Sequence, residues 1–213
     1  MNELTKRILT SVVLITILIS MFFYNYIFII ILLLFGTIIL VELNQLLVKI
    51  FKKKYIRTLM SFFALTYIFY ILWLAIISVQ TNDTKFFLLY SILVCIMSDI
   101  GGFVFGKIFK GKKLTSISPN KTISGSFGAF IFSLLLVLIL TFIIEDINLM
   151  KYLILTLIIS CSSQIGDIFI SYIKRKAKVK NTSDILPGHG GLLDRLDGII
   201  FGVPVGLNLA FLI

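Results

Sequence analysis

The residues whose types and spacing could carry out chemistry gather in one short segment near the end of the chain, between positions 171 and 197. This segment contains the only histidine, His189, and two closely spaced carboxylates, Asp194 and Asp197. The sequence on both sides of it is almost entirely apolar. A dense polar cluster between apolar segments is costly for a membrane protein unless something binds there. The segment is therefore the candidate active site.

Four polar side chains lead into this segment at helical spacing: Asp167, Ser171, Lys174 and Arg175. Residues with this spacing share one face of a helix, so the carboxylate is predicted to lie one to two turns deeper than the two cations. The loop that follows contains Gly190 and Gly191, where the backbone can approach a ligand closely. A metal ligand below a cationic rim is the expected arrangement.

Three carboxylates of this region, Asp167, Asp194 and Asp197, are predicted to hold Mg²⁺. Mg²⁺ is typically held by one or two carboxylates together with phosphate oxygens and water. A zinc site of cysteine and histidine is excluded, because the chain has one histidine and two scattered cysteines. The predicted chemistry is an in-line displacement at phosphorus, with Lys and Arg stabilising the developing charge. His189 positions a phosphate or moves a proton in this scheme, or is simply a hydrogen-bonded loop residue.

A second candidate phosphate site precedes the apolar run at 124–144 and contains Ser118, Lys121 and Thr122. The free N–H groups of a helix N-terminus beside a lysine and a hydroxyl suit a phosphate. The alternative is a solvated, positively charged loop. The glycine-rich Walker pattern that cradles phosphates is absent from the sequence.

Two further acidic residues lie within apolar runs. Asp99, like Asp167, is predicted to be functional unless it forms a structural pair, because ionisable groups are costly inside a membrane. Glu42 lies near the inner end of its run, and it is expected mainly to reach the membrane interface or to cap a neighbouring cation.

The composition indicates an integral membrane protein. Of the 213 residues, 59% are hydrophobic and only 14% are charged, against about a quarter charged in soluble domains. The net charge of +10 would suggest nucleic acid as the partner of a soluble protein. Here the positive residues fall in short loops between apolar runs, which is a signal of membrane topology, so nucleic acid is not an expected partner.

A membrane-spanning helix needs about 20 apolar residues. The sequence contains seven candidates, at approximately 8–23, 26–48, 58–78, 86–106, 124–144, 149–172 and 197–213. With the N-terminus inside, eighteen of the twenty Lys and Arg residues fall on the inner side and only Lys85 and Lys151 on the outer side. The sequence therefore predicts an all-α polytopic membrane protein with about seven transmembrane helices, an N-in/C-out topology and an active site at the cytoplasmic face. One integral membrane domain over 1–213 is expected, with N-terminal helices at 1–80 and catalytic helices and loops at 86–213.

The candidate active site resembles the signature of the phosphatidate cytidylyltransferase (CDP-diacylglycerol synthetase) family. The matching positions run from Ser171-x-Ile173-Lys174-Arg175 through Lys180 and Ser183 to Leu186-Pro187-x-His189-Gly190-Gly191-Leu192-x-Asp194-Arg195-Leu196-Asp197. Two other stretches are similar to the same family, one beginning at Asp99 and one reading Ile117-Ser118-Pro119-x-Lys121-Thr122. The resemblance covers approximately residues 95–200.

The resemblance implies that CTP and phosphatidic acid react to give CDP-diacylglycerol and pyrophosphate with Mg²⁺, and it leaves room for a second, monovalent cation. It implies catalytic roles for Asp194, Asp197, Lys174, Arg175, His189 and Arg195, and substrate-binding roles for Ser118, Lys121, Thr122, Ser171, Lys180, Gly190 and Gly191. The expected location is the bacterial cytoplasmic membrane, among membrane lipids, and a homodimer is allowed. The sequence departs from the family at Asn181 and Ser124, where acids are usual.

Several alternatives remain at this stage. Within the enzymes, these are a CTP-dependent lipid or polyprenol kinase and a cytidylyltransferase acting on another lipid phosphate. A CDP-alcohol phosphotransferase is disfavoured, because Asp197-Gly198 is followed by Ile-Ile-Phe-Gly and lacks that family's Ala-Arg. A cation transporter that uses Asp99 and Asp167 is a remote alternative, since the polar residues gather at one membrane face. An inactive relative is the last alternative, and Asn181 and Ser124 are its only support.

Overall fold

The structure is a computed structural model that describes Thr16 and residues 23–116, 118, 121–143, 148–185 and 190–212. The regular elements formed by these residues are all helices, and Lys113 and Thr122 form an isolated antiparallel bridge. The seven helices described are α1 (Asn25–Ile50), α2 (Lys54–Ser78), α3 (Asn82–Phe109), α4 (Ile123–Thr141), α5 (Leu149–Lys176), α6 (Leu193–Leu196) and α7 (Ile199–Leu212). The all-α prediction is confirmed.

Helices α1 to α5 are each long and apolar enough to cross a membrane. They have between 19 and 28 residues, and many of their large apolar side chains are exposed, as a lipid-facing surface requires. They correspond to five of the predicted spans, and the chain is an integral membrane protein. The predicted span at 8–23 lies outside the described residues, except for Thr16 and Phe23.

The last predicted span, 197–213, differs from the structure. Residues 197 and 198 form a turn between the short helix α6 and α7, so the longer helix begins only at Ile199. A Cβ on Gly198 would lie 2.4 Å from Ser163 Oγ, and this crowding explains why the turn contains a glycine. Helix α7 has 14 residues, or roughly 21 Å of rise, against about 30 Å for a hydrocarbon core. The count of seven spans therefore stays a prediction, as do the topology and the face of the active site.

The chain divides into two compact units. Unit 1 comprises Met1–Ile76 and Ile173–Leu196, and unit 2 comprises Ile77–Tyr172 and Asp197–Ile213. This division does not test the prediction of one membrane domain with a boundary near residue 80.

Unit 2 is organised around the crossing of α3 and α4. A Cβ on Gly101 would lie 2.3 Å from the carbonyl oxygen of Gly128, and one on Gly128 would lie 2.3 Å from Phe105 Cβ. The two backbones therefore approach as closely as only glycine allows. Helix α4 begins where Thr122 caps it, with the Thr122 hydroxyl accepting a hydrogen bond from Gly125 N at 3.1 Å.

The interior of unit 2 contains small hydroxyl side chains among its buried apolar ones. Its buried hydroxyl residues are Ser78, Ser91, Ser98, Ser133, Thr156, Ser160 and Ser163. Ser98 and Ser160 lie 3.0 Å apart, and Ser133 donates to Ala129 O at 2.8 Å. Close packing and hydrogen bonds between small residues hold these helices together, as is usual in membrane bundles.

Candidate active site

The acidic residue Asp194 is the centre of the site in unit 1. Its Oδ1 accepts a hydrogen bond from Lys174 Nζ at 2.7 Å. Its Oδ2 accepts from Thr182 N at 2.8 Å and from Gly191 N at 3.2 Å. Burial raises the pKa of Asp194, but the hydrogen bonds and the charge of Lys174 outweigh burial and hold its pKa below the ordinary value. Asp194 is therefore an ionised carboxylate at neutral pH.

A second carboxylate, Glu42, is completely buried in unit 1 and binds the same segment. Its Oε1 accepts from Ser183 Oγ at 2.6 Å and from Leu192 N at 3.0 Å. Its Oε2 accepts from Thr182 Oγ1 at 2.8 Å and from Leu193 N at 2.8 Å. Sequence reasoning missed this arrangement, because it expected Glu42 to reach the interface or cap a cation. The only signal in the sequence was an ionisable residue inside an apolar run.

Gly190 and Gly191 lie against these two carboxylates. A Cβ on Gly191 would lie 1.8 Å from Thr182 Oγ1 and 2.8 Å from both oxygens of Glu42. Gly190 adopts a φ of 85°, which side chains rarely allow. Packing and backbone conformation thus already require glycine at both positions, and their substrate-binding role stays a prediction.

The site in unit 2 is a cavity of about 210 Å³ that contains a second ion pair. Lys121 Nζ lies 2.7 Å from Asp167 Oδ2. Asp99 also lines the cavity, with an exposed side chain. The complete lining is Ser98, Asp99, Gly102, Phe103, Leu114, Lys121, Thr122, Gly125, Ser126, Ala129, Gln164 and Asp167. The structure thus brings together Asp99, Lys121, Thr122 and Asp167, which the sequence analysis had singled out separately.

Gln164 and Ser126 are lining residues that sequence reasoning missed. The Ser126 hydroxyl donates to Gln164 Oε1, and Gln164 Nε2 lies 3.5 Å from Ser160 Oγ. Gln164 precedes Asp167 by three residues on the same helix, so helical spacing from Asp167 was the one signal that could have found it.

Asp167 has features that suit a cation. Its Oδ1 is buried and has no hydrogen-bond partner among the described residues, and a buried polar atom without a partner is costly. Lys121 provides a positive charge at the other oxygen. No group of three or more His, Cys, Asp or Glu side chains within the described part of the chain is arranged to hold a metal ion. Asp167 and Asp197 belong to unit 2 and Asp194 to unit 1, so the three-aspartate site stays a prediction.

The remaining predicted site residues differ in how exposed they are. Arg175, Lys180 and Arg195 are exposed, whereas Ser118, Ser171 and Asp197 are partly buried. Asp197 Oδ1 accepts from Gly198 N at 3.1 Å within the turn before α7. His189 lies outside the described residues, so its role stays a prediction. The roles predicted for the others are not tested by these positions.

The five long apolar helices define a polytopic integral membrane protein, and each of its two units contains a carboxylate–lysine pair. The model of the family described as "Cytidylyltransferase family" matches residues 3–212. The chain therefore belongs to the cytidylyltransferase family, and the resemblance seen in the sequence is confirmed.

Individual relatives agree with this assignment. The phosphatidate cytidylyltransferase of Staphylococcus haemolyticus is 40% identical over 130 residues, which cover 60% of this chain and 50% of that protein. The proteins of the same name from Staphylococcus saprophyticus and Staphylococcus aureus are each 41% identical over 125 residues, covering 58% of this chain and 48% of those proteins. The chain thus spans about half the length of the curated relatives it matches.

Proposed function

We propose that this protein transfers CMP from CTP to phosphatidic acid, which gives CDP-diacylglycerol and pyrophosphate for phospholipid biosynthesis. The observation that carries this proposal is the match to the cytidylyltransferase family over residues 3–212. The relatives named phosphatidate cytidylyltransferase support the lipid substrate. The protein would work in the bacterial cytoplasmic membrane, with its site towards the cytoplasm where CTP is found. The homodimer that the resemblance allows stays a prediction.

In this reaction an oxygen of the lipid phosphate attacks the α-phosphorus of CTP. The bond between the α-phosphorus and the oxygen that bridges to the β-phosphorus breaks, and pyrophosphate leaves with the electron pair. The transition state carries negative charge on the phosphoryl oxygens, so positioned cations stabilise it. Lys121 and Lys174 are suitable cations, because each is held by a carboxylate at 2.7 Å before substrate arrives.

The cavity in unit 2 is suited to part of a nucleotide. Its volume of about 210 Å³ is below the roughly 300–1,000 Å³ of pockets that enclose whole drug-sized ligands. We infer that it receives phosphate groups, with Lys121 turning from Asp167 towards them. The N–H groups at the start of α4, beside Thr122, would add donors for the same oxygens.

We also propose Mg²⁺ as the cofactor, as the resemblance implies. Asp167, Asp194 and Asp197 would hold the ion, which supplies neutralisation of phosphate charge when bound. The buried Asp167 Oδ1 without a described partner supports this assignment. Carboxylate oxygens are the hard ligands that Mg²⁺ prefers. A second, monovalent cation stays a prediction from the resemblance.

The test measures pyrophosphate released from CTP by the purified protein in detergent micelles, with and without phosphatidic acid and Mg²⁺. We expect release that requires the lipid and the metal. We expect Asp194→Asn and Asp197→Asn to lower kcat by about a hundredfold or more, because each removes a charge that acts on the transition state. Asp184→Asn is the matched control, because Asp184 is an exposed acid of the same segment, and it should leave the rate unchanged.

Near-normal rates in both Asp194→Asn and Asp197→Asn would remove these residues from the site.

The same assay separates the proposed function from its alternatives. Release of CDP rather than pyrophosphate with diacylglycerol or a polyprenol would identify a CTP-dependent lipid kinase. Faster turnover of another lipid phosphate would reassign the acceptor, and ion flux into vesicles without CTP consumption would identify a transporter.

A further inference from the structure

Glu42 binds residues 182–183 and 192–193, which the structure describes on either side of positions 186–189, with every acceptor position of its carboxylate. The four donors are the Thr182 and Ser183 hydroxyls and the N–H groups of Leu192 and Leu193. The two oxygens of a carboxylate offer about four lone-pair sites, and these four donors occupy them. The Glu42 side chain is entirely buried, and a polar group buried in this way is costly unless it is hydrogen-bonded. The segment it binds is 140 or more residues away in the sequence.

The contact extends from Glu42 to Asp194 through one hydroxyl group. Thr182 Oγ1 lies 2.8 Å from Glu42 Oε2 and 3.1 Å from Asp194 Oδ2. The backbone N–H of the same threonine donates to Asp194 at 2.8 Å. The hydroxyl has one proton, and the shorter distance favours Glu42 as its acceptor. When Glu42 holds the Thr182 hydroxyl, it also fixes the N–H group that binds Asp194.

We propose that Glu42 is the positioning residue that fixes residues 182–183 and 192–193 against helix α1 and thereby sets the geometry of Asp194. The link to catalysis rests on the proposed function, in which Asp194 acts on the phosphates. The anchoring itself does not depend on it. Glu42 acts through Thr182 and the backbone of the segment, and it is not a catalytic residue.

Replacing Glu42 with glutamine is the most direct test of this carboxylate. Each oxygen of Glu42 faces a backbone N–H, that of Leu192 or that of Leu193. A backbone N–H can only donate, so either orientation of a glutamine amide places its NH₂ against one of them. One buried N–H then has no acceptor, and the anchored state is disfavoured by roughly tenfold or more.

The experiment compares Glu42→Gln with the matched control Asn44→Ala. Asn44 also lies on α1, and it accepts a hydrogen bond from Ser61 of α2 at 3.0 Å. The first readout is limited trypsin digestion, which cuts after the exposed Lys178 and Lys180 beside the segment. Cleavage there depends on local opening, and it needs no substrate. The second readout is kcat, KM for CTP and the half-saturating Mg²⁺ concentration, measured at a temperature where both proteins are folded.

For Glu42→Gln we expect cleavage after Lys178 and Lys180 to be about tenfold faster. We also expect a lower kcat and a several-fold higher half-saturating Mg²⁺ concentration, which loss of global stability alone would not produce. Asn44→Ala should match the wild type in both readouts. If Glu42→Gln does not fold, Ser183→Ala gives the milder test, because it removes one of the four donors and should show a smaller effect in the same direction.

Wild-type cleavage in both Glu42→Gln and Ser183→Ala would overturn the anchoring. Faster cleavage with unchanged kcat and Mg²⁺ dependence would overturn the positioning of Asp194. If the wild type shows no lipid-dependent use of CTP, the proposed function fails, whereas the digestion result still decides whether Glu42 anchors the segment.

Discussion

At the residue scale, two aspartates of the site are each paired with a lysine. The pair of Lys174 and Asp194 is nearly buried, with side-chain exposures of 12% and 10%. The pair of Lys121 and Asp167 is somewhat more open, at 29% and 16%. Removing one partner of a buried pair leaves an uncompensated charge, whereas removing both can be nearly neutral. The stability of these pairs and their use in catalysis can therefore be separated by experiment.

We predict that Lys174→Met lowers the free energy of unfolding by about 2 kcal/mol, because Asp194 keeps its N–H donors but loses its counter-ion. Asp194→Asn in the same protein should restore most of that loss and should not restore activity. Thermal unfolding in detergent and the pyrophosphate assay measure the two effects. Losses of stability that simply add in the double variant would show that the pair is not coupled.

Residue types and spacing singled out Asp167, Asp194, Lys121 and Lys174, but they did not predict the partners of these side chains. Helical spacing placed Asp167 and Lys174 on one helix, and the structure confirms this in α5. The pairing of Lys121 with Asp167 joins residues 46 positions apart, and Glu42 binds a segment 140 or more positions away. Such contacts depend on how helices pack, which local patterns in the sequence do not contain.

At the element scale, hydropathy located the long helices because the length of an apolar run is set by the thickness of the bilayer. Hydropathy predicted the ends of these helices less well, because polar residues decide where a helix begins and ends. Helix α3 begins at Asn82 rather than near 86, since Thr81 caps it and accepts from Thr84 N at 3.3 Å. The turn at residues 197 and 198 was missed, since it is required by crowding against Ser163 and not by local hydropathy.

The α3–α4 crossing gives a prediction about glycine. Gly128→Ala should lower the free energy of unfolding by about 1–3 kcal/mol, because its Cβ would overlap Phe105 and the Gly101 carbonyl. Gly102→Ala is the matched control on α3, because its Cβ would meet only atoms at 3.6 Å or beyond. Thermal unfolding in detergent compares the two variants. Equal unfolding temperatures would mean that the helices separate slightly at little cost.

At the scale of the whole molecule, the distribution of Lys and Arg predicts the orientation in the membrane. The loop between α2 and α3 should be outside, and the basic loop between α3 and α4 should be cytoplasmic. We predict that Asp83→Cys is labelled by a membrane-impermeant maleimide in intact cells, and that Lys112→Cys is labelled only after permeabilisation. Both positions are exposed, and the unsubstituted protein is the control for Cys95 and Cys161. The opposite pattern of labelling would reverse the topology.

The small hydroxyl residues inside unit 2 have a consequence for how this protein loses its structure. The backbone hydrogen bonds of α3, α4 and α5 lie within each helix, and lipid or detergent can cover their apolar faces as well as neighbouring helices can. These helices are joined by packing of their buried side chains, by close contact between glycines and by a few hydrogen bonds such as that of Ser98 with Ser160. Denaturation in the membrane is then a separation of intact helices. Helical content, as measured by circular dichroism, is therefore no guide to whether the site is still assembled.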